Sequence, residues 1–248
     1  MDQTMNTKKE INQEEKSFHF KQFVVKQKTG VMKVGTDGIL LGAWVNVTDA
    51  KHILDIGTGS GMVALMCAQK NQEAKIDAVD IEEAAYKMAS KNTAASVWKD
   101  RMEVFHGSVQ EFSKVRDIQY DVIVTNPPFF TGGTFSKDAD RNQMRHTIKL
   151  PNGELLQAVR RLMKRSGRFC VILPYLEGLR FKEQAEQYGF YCTRKTEVFP
   201  TPTKGIERLL LQFEFIENPL ESDQLIIEEN KTYTEAFVGL TKTFYRDF

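Results

Sequence analysis

From His52 onward the chain alternates short apolar runs with longer stretches whose apolar residues recur every three or four positions. His52 to Ile56, Lys75 to Asp80, Met102 to Phe105, Tyr120 to Thr125 and Arg168 to Leu173 read as strands. Ser60 to Gln69, Glu82 to Ala95 and Glu154 to Lys164 read as helices, the last with Leu155, Leu156, Val159, Leu162 and Met163 on one face. Strands alternating with helices predict right-handed crossovers and a parallel sheet covered on both sides. The end of the chain differs. Phe190 to Phe199 and Ile206 to Phe215 are strand-like but separated only by Pro200 to Gly205, too short for a crossover helix, so the last strand is predicted to run antiparallel beside its neighbour.

The start is less regular. Residues 1–17 are polar and charged, with little to bury, and are expected to form a disordered lead. Phe18 to Val25 is aromatic and β-branched, and Lys26 to Gly30 reads as a polar turn, which together predict a small hairpin or strand pair ahead of the main fold. Thr36-Asp37 is predicted to cap a helix running through Ile39, Leu40, Leu41 and Trp44. No internal repeat or linker stands out, so residues 18–248 are expected to form one domain, with residues 18–46 as a strand and helix extension.

Composition adds limits. With 248 residues and 41% apolar content the chain can bury a full core. A formal charge of +1 gives no case for a nucleic-acid partner. Its distribution is uneven: Arg141 to Arg168 holds eight Lys or Arg against Glu154 alone, whereas Glu214 to Glu235 holds seven acidic residues against Lys231. A basic stretch suits a polyanionic substrate or a solvated helix face. Cys67, Cys170 and Cys192 are isolated in apolar surroundings without metal-ligand spacing, so they read as core, in a reducing compartment, and no metal is expected. The apolar run from Ile39 to Val45 falls far short of the roughly 18 residues a membrane span needs, and no signal segment opens the chain, so a soluble, cytoplasmic protein is expected.

Candidate chemistry concentrates at Tyr120 to Phe130, Tyr-Asp-Val-Ile-Val-Thr-Asn-Pro-Pro-Phe-Phe. Two prolines end the strand at Asn126 and hold the backbone extended on a stiff bend, so the carbonyls of Asn126 and Pro127 face outward as acceptors. The Asn126 side-chain oxygen and the Pro127 carbonyl can each take one hydrogen of an NH2 group, while Phe129 stacks on the plane of the ring that carries it. Drawing such a nitrogen towards tetrahedral geometry frees its lone pair to attack an electrophile. The bland alternative is a rigid strand exit with Phe129 in the core.

A second constellation is Asp55-Ile-Gly-Thr-Gly-Ser-Gly61, between the first strand and its helix, with Asp80 ending the next strand nineteen residues after Gly61. Glycines there let the backbone approach a ligand, the helix start presents N–H groups, and Asp80 is placed to accept from two ribose hydroxyls. The dinucleotide pattern asks for glycine at position 62, which is Met62; the third glycine is Gly61. A dehydrogenase reading would also leave Asn126-Pro-Pro-Phe129 as coincidence.

With Asp55 ahead of the loop, this segment resembles the first motif of S-adenosylmethionine-dependent methyltransferases. That resemblance implies that Asp55, Gly57, Gly59 and Gly61 hold the methionine part of the cofactor and Asp80 its ribose. It also implies an α/β, Rossmann-like methyltransferase fold, a mostly parallel seven-stranded sheet with an antiparallel C-terminal hairpin strand and helices on both faces. Many such enzymes carry an acidic residue after the third strand for the cofactor's adenine; here the position holds Ser108, a weaker candidate.

Asn126-Pro-Pro-Phe-Phe130, together with Phe20-Lys-Gln-Phe23 and Met32-Lys-Val-Gly-Thr-Asp-Gly-Ile-Leu-Leu-Gly-Ala-Trp44, is similar to the bacterial family that methylates N6 of adenine 37 in valine tRNA. The resemblance spans about Phe18 to Phe248. It implies that Asn126, Pro127 and Phe129 are catalytic, that Lys33, Thr36 and Asp37 line the methionine end, and that a tRNA anticodon loop is bound; a monomer is expected. Pro128, Phe130, Arg141 and Arg145 are the expected substrate contacts. Two alternatives share the Asn-Pro-Pro device: methylation of a glutamine side-chain amide in a release factor, and of a guanine amine in ribosomal RNA.

Overall fold

The computed structural model describes residues 16–27, 34–127 and 150–246. Among these the main sheet has eight strands: β3 (His52–Ile56), β4 (Lys75–Asp80), β5 (Met102–His106), β6 (Tyr120–Thr125), β7 (Met163–Pro174), β8 (Tyr191–Phe199), β9 (Arg208–Glu214) and β10 (Glu221–Ile226). Their order is β10-β8-β9-β7-β6-β3-β4-β5. Only β9 runs against the rest, pairing antiparallel with both β7 and β8. The expected hairpin strand is therefore present, but it lies inside the sheet.

The eighth strand departs from expectation. β10 pairs in parallel with β8, from Glu221 beside Arg194 to Ile226 beside Phe199. Its sequence, Glu-Ser-Asp-Gln-Leu-Ile, buries only Leu225, so the apolar alternation that marks a strand is missing. Side chains fasten it instead: Thr196 Oγ1 donates to Asp223 Oδ1, and Gln224 Nε2 to Glu197 Oε2 at 3.3 Å. Two short strands, β11 (Glu228–Glu229) and β12 (Thr232–Tyr233), follow it as a separate hairpin.

Successive residues of each central strand face opposite sides, so the sheet divides the core in two. Ile53, Val122, Val124, Cys170, Ile172 and Leu210 belong to one apolar cluster, and Leu54, Ile123, Phe169, Val171, Leu211 and Phe213 to the other. The first cluster is covered by α1 (Thr36–Trp44) and α2 (Met62–Lys70), with α7 (Glu235–Thr241) contributing Phe237. The second is covered by α4 (Val109–Val115), α5 (Asn152–Leu162) and α6 (Tyr175–Gln187), while α3 (Glu83–Ala94) packs by β4 and β5. Among the described residues no helix is long and apolar enough to cross a membrane.

The N-terminal hairpin joins β1 (Lys16–His19) to β2 (Val24–Gln27), starting two residues inside the expected disordered lead. Its turn falls at Phe20 to Phe23, where the Phe20 N–H donates to the Phe23 carbonyl at 2.9 Å. Burial explains its place. Phe20 and Phe23 stack on each other and are buried beside Trp98, so this turn is held by apolar packing that a polarity rule does not anticipate.

Helix α1 lies against α2 because glycines remove side chains at the crossing. A Cβ at Gly42 would stand 2.6 Å from Met66 Sδ, and one at Gly38 would collide with Met62 Cε. The opposite end is tied to the sheet: Trp44 Nε1 donates to Thr196 Oγ1 at 2.7 Å and Arg194 lies over the Trp44 ring at 4.2 Å. Thr36 and Asp37 are the first two residues of the helix, and the N-cap is Gly35, which has no side chain to donate or accept. Asp37 binds elsewhere.

Candidate active site

Three neighbouring strands bring the sequence motifs together. In β3, Asp55 and Ile56 pair with Ala78 and Val79 of β4 on one side and with Val124 and Thr125 of β6 on the other. The next residues along, Asp80, Gly57 and Asn126, therefore emerge level at the carboxyl edge of the sheet, spread over two strand spacings, about 10 Å. This is where the strand order turns back, β4 and β5 building outward one way and β6 the other, the usual place for a ligand in an open α/β sheet.

A cavity of about 500 Å³ opens there. Of the residues expected to act, Thr36, Asp37, Asp55, Gly57, Gly59, Asn126 and Pro127 line it. Gly61 stands just behind as the N-cap of α2, with φ of 81°, and its neighbours Ser60 and Met62 line the cavity. Loop geometry requires these glycines, because Gly57 and Gly59 also have positive φ, at 68° and 59°. Lys33, Pro128, Phe129, Phe130, Arg141 and Arg145 lie outside the described residues.

The loop is shaped by its own carboxylates. Asp80 accepts from the Gly59 N–H at 2.8 Å and from the Glu82 N–H at 2.9 Å, so it sits under the loop and sets its path. Asp55 accepts from the Thr58 hydroxyl at 2.6 Å and the Ala64 N–H at 3.2 Å. Burial pushes the Asp55 carboxyl up to about 7; the two hydrogen bonds oppose this and the nearby charge of Asp80 adds to it. A cationic group entering the cavity would favour the ionised form.

Two groups of residues singled out in the sequence make contacts away from the cavity. Ser108 is the N-cap of α4: its hydroxyl accepts from the Glu111 N–H at 3.2 Å and donates to Glu111 Oε2 at 3.0 Å, and it is not among the cavity's lining residues. This reciprocal capping pattern, Ser-x-x-Glu, was readable in the sequence. The second half of the basic stretch also lies apart from the cavity. Met163 pairs with Tyr120, and Lys164 Nζ meets Asp121 Oδ1 at 2.8 Å, so the cations from Arg160 to Arg165 gather where β6 begins, five or six residues from Asn126. Arg160 donates to the Tyr188 carbonyl and Arg165 lies over Phe215, both at that same far edge. At roughly 3.3 Å per residue this is some 17 Å from the cavity.

Sequence reasoning missed the wall opposite the loop. Val198, Pro200, Glu207, Arg208 and Ile227 line the cavity from β8, β9, the connection between them and the segment after β10. Arg208 Nε donates to Asp37 Oδ2 at 2.9 Å, joining that wall to α1. Nothing local marks Arg208, since its place depends on a pairing between segments 171 residues apart.

Comparison with known proteins agrees with this geometry. Residues 31–172 match the Methyltransferase small domain family model. A tRNA1(Val) (adenine(37)-N6)-methyltransferase of Dyadobacter fermentans is 44% identical over 93% of this chain and 98% of its own, and one from Trichodesmium erythraeum is 42% identical over 92% and 97%. The chain belongs to this family. The fold is shared more widely: a predicted O-methyltransferase from Agrobacterium tumefaciens superposes with a TM-score of 0.68 at 16% identity, covering 86% of this chain and 100% of that one. TYW2 of P. horikoshii in complex with MeSAdo gives 0.55 at 14% identity, covering 80% and 70%.

Proposed function

We propose that this protein methylates the exocyclic N6 amine of adenine 37 in valine tRNA, using S-adenosylmethionine. The observation that carries the reading is the shared cavity: the glycine loop with Asp55 forms one wall, and Asn126 with Pro127 stands on the neighbouring strand end. The residues fit the cofactor. Asp55 offers a carboxylate to the amino group of its methionine part and the start of α2 offers backbone N–H groups; Asp80, which does not itself line the cavity, stands directly beneath the loop, where its spare lone pairs would serve the ribose. The volume is in the range of small-molecule sites. When bound, S-adenosylmethionine supplies an electrophilic methyl group on a sulfonium.

The work left to the chain is orientation. Asn126 Oδ1 and the Pro127 carbonyl would accept the two amine hydrogens and so turn the nitrogen lone pair towards the place where the cofactor would present its methyl group. Phe129 stacks on the extruded base, with Pro128 and Phe130 beside it and Arg141 and Arg145 on phosphates. An anticodon-loop base is already partly unstacked, which keeps the cost of extrusion low. Incubating the enzyme with methyl-labelled cofactor and, separately, total tRNA, ribosomal RNA and release factor tests the assignment. Label is expected in valine tRNA as N6-methyladenosine; label confined to ribosomal RNA or release factor would overturn it.

A further inference from the structure

Asn92, near the end of α3, is 2% exposed and is not itself among the residues lining the cavity. Its amide is nevertheless bonded to two separate parts of the site's framework. Oδ1 accepts from the Lys26 N–H at 2.9 Å, and Nδ2 donates to the Lys26 carbonyl at 3.0 Å and to the Ser60 carbonyl at 2.8 Å. The amide thus pairs with the backbone of β2 as a neighbouring strand would, and its second N–H reaches the glycine loop. Those partners also fix which way the amide faces, since a carbonyl oxygen must meet the Lys26 N–H.

Each bond leads on to a cavity wall. Ser60 lines the cavity and precedes Gly61, against which α3 packs closely: a Cβ on Gly61 would stand 3.3 Å from Ala89 Cα, one turn before Asn92. On the other side, Lys26 is followed by Gln27, whose Oε1 accepts from the Val34 N–H at 2.9 Å, two residues before α1 begins. Helix α1 then supplies Thr36 and Asp37 to the cavity. One buried side chain therefore sets the loop wall and the α1 wall in register.

We propose that Asn92 is a positioning residue for cofactor binding, holding the glycine loop and the entry to α1 at a fixed separation. The inference rests on reading the cavity as the S-adenosylmethionine site. Nothing in it requires contact between Asn92 and the cofactor.

A matched control exists in Asn71, 7% exposed, whose Nδ2 donates to the Val47 and Ala50 carbonyls at 2.7 and 2.9 Å, at a place remote from the loop. Asn92→Ala and Asn71→Ala each orphan buried backbone groups and should lower Tm comparably. Only Asn92→Ala should weaken S-adenosylmethionine, by about tenfold or more in Kd and in cofactor KM, with kcat at saturating cofactor nearly unchanged. Amide hydrogen exchange should rise together at residues 58–62 and 34–38 in that variant alone. Asn92→Asp keeps the shape and the Lys26 acceptor but loses both donors, and serves if the alanine variant does not fold; it should show the same weakened cofactor binding. Parent protein that fails to bind the cofactor would overturn the site reading itself. Parent that binds, with Asn92 variants binding equally well or Asn71→Ala weakened just as much, would overturn the clamp.

Discussion

The Thr125 hydroxyl donates to the Ile56 carbonyl at 2.9 Å, across the last rung of β6 and β3. That bond fastens the strand that ends in Asn126 to the strand that opens into the glycine loop. Both groups are buried, so losing the donor removes a hydrogen bond that water cannot replace. Thr125→Val keeps the branched shape and should cost about 1–3 kcal/mol in chemical denaturation. Turnover should fall further than that loss alone explains, because the relative position of Asn126 and the loop is loosened.

Asp55 makes cofactor binding depend on pH. Its raised pKa means that the folded protein keeps a proton the unfolded chain has already released, so this contribution to stability is complete below about pH 4 and disappears as pH rises through 7. An ammonium group in the cavity prefers the carboxylate, so S-adenosylmethionine affinity should rise between about pH 6 and pH 8, with proton release at the lower end. Calorimetry in two buffers of different ionisation enthalpy measures that release. Asp55→Asn should bind more weakly and lose the pH dependence.

Asp80 has two duties, as the proposed ribose acceptor and as the partner of the Gly59 and Glu82 N–H groups. Asp80→Ala removes both and should weaken S-adenosylmethionine by about 10- to 100-fold. Unchanged affinity in a titration would remove Asp80 from the site.

Close packing of α1 on α2 gives a separate test of the wall. Gly42→Ala would press on the Met66 side chain, where Cβ and Sδ stand 3.0 and 2.6 Å from the new atom, and should destabilise by about 1–3 kcal/mol. Gly38→Ala would clash with the flexible end of Met62, which lines the cavity, and come into ordinary contact with Val63 and Asn126, so its effect should appear in cofactor affinity more than in Tm.

The readable parts of the fold were those where one residue pattern served one purpose. β3, β4 and β6 are short segments buried at nearly every position, on both faces, and their limits coincide with the expected ones. β10 escaped because its place depends on pairing with β8 and not on its own hydrophobicity. The glycine loop and Asn126-Pro127 were legible because backbone conformation and acceptor chemistry are local properties. Arg208 was not, because it faces Asp37 through a sheet register that no local pattern encodes. The place of the cations of α5 and β7 was not legible either: proximity in sequence to Asn126 became distance in space once the chain had crossed back to the start of β6.

The central claim is that Asn126 acts on the amine in the transition state. Single-turnover methylation of purified valine tRNA by Asn126→Ala, at saturating cofactor and RNA, tests it most directly. Loss of one preorganised acceptor should slow the step by about 100- to 1,000-fold, with RNA affinity little changed. A variant that methylates at the parent rate would show that the Asn-Pro-Pro bend merely ends a strand.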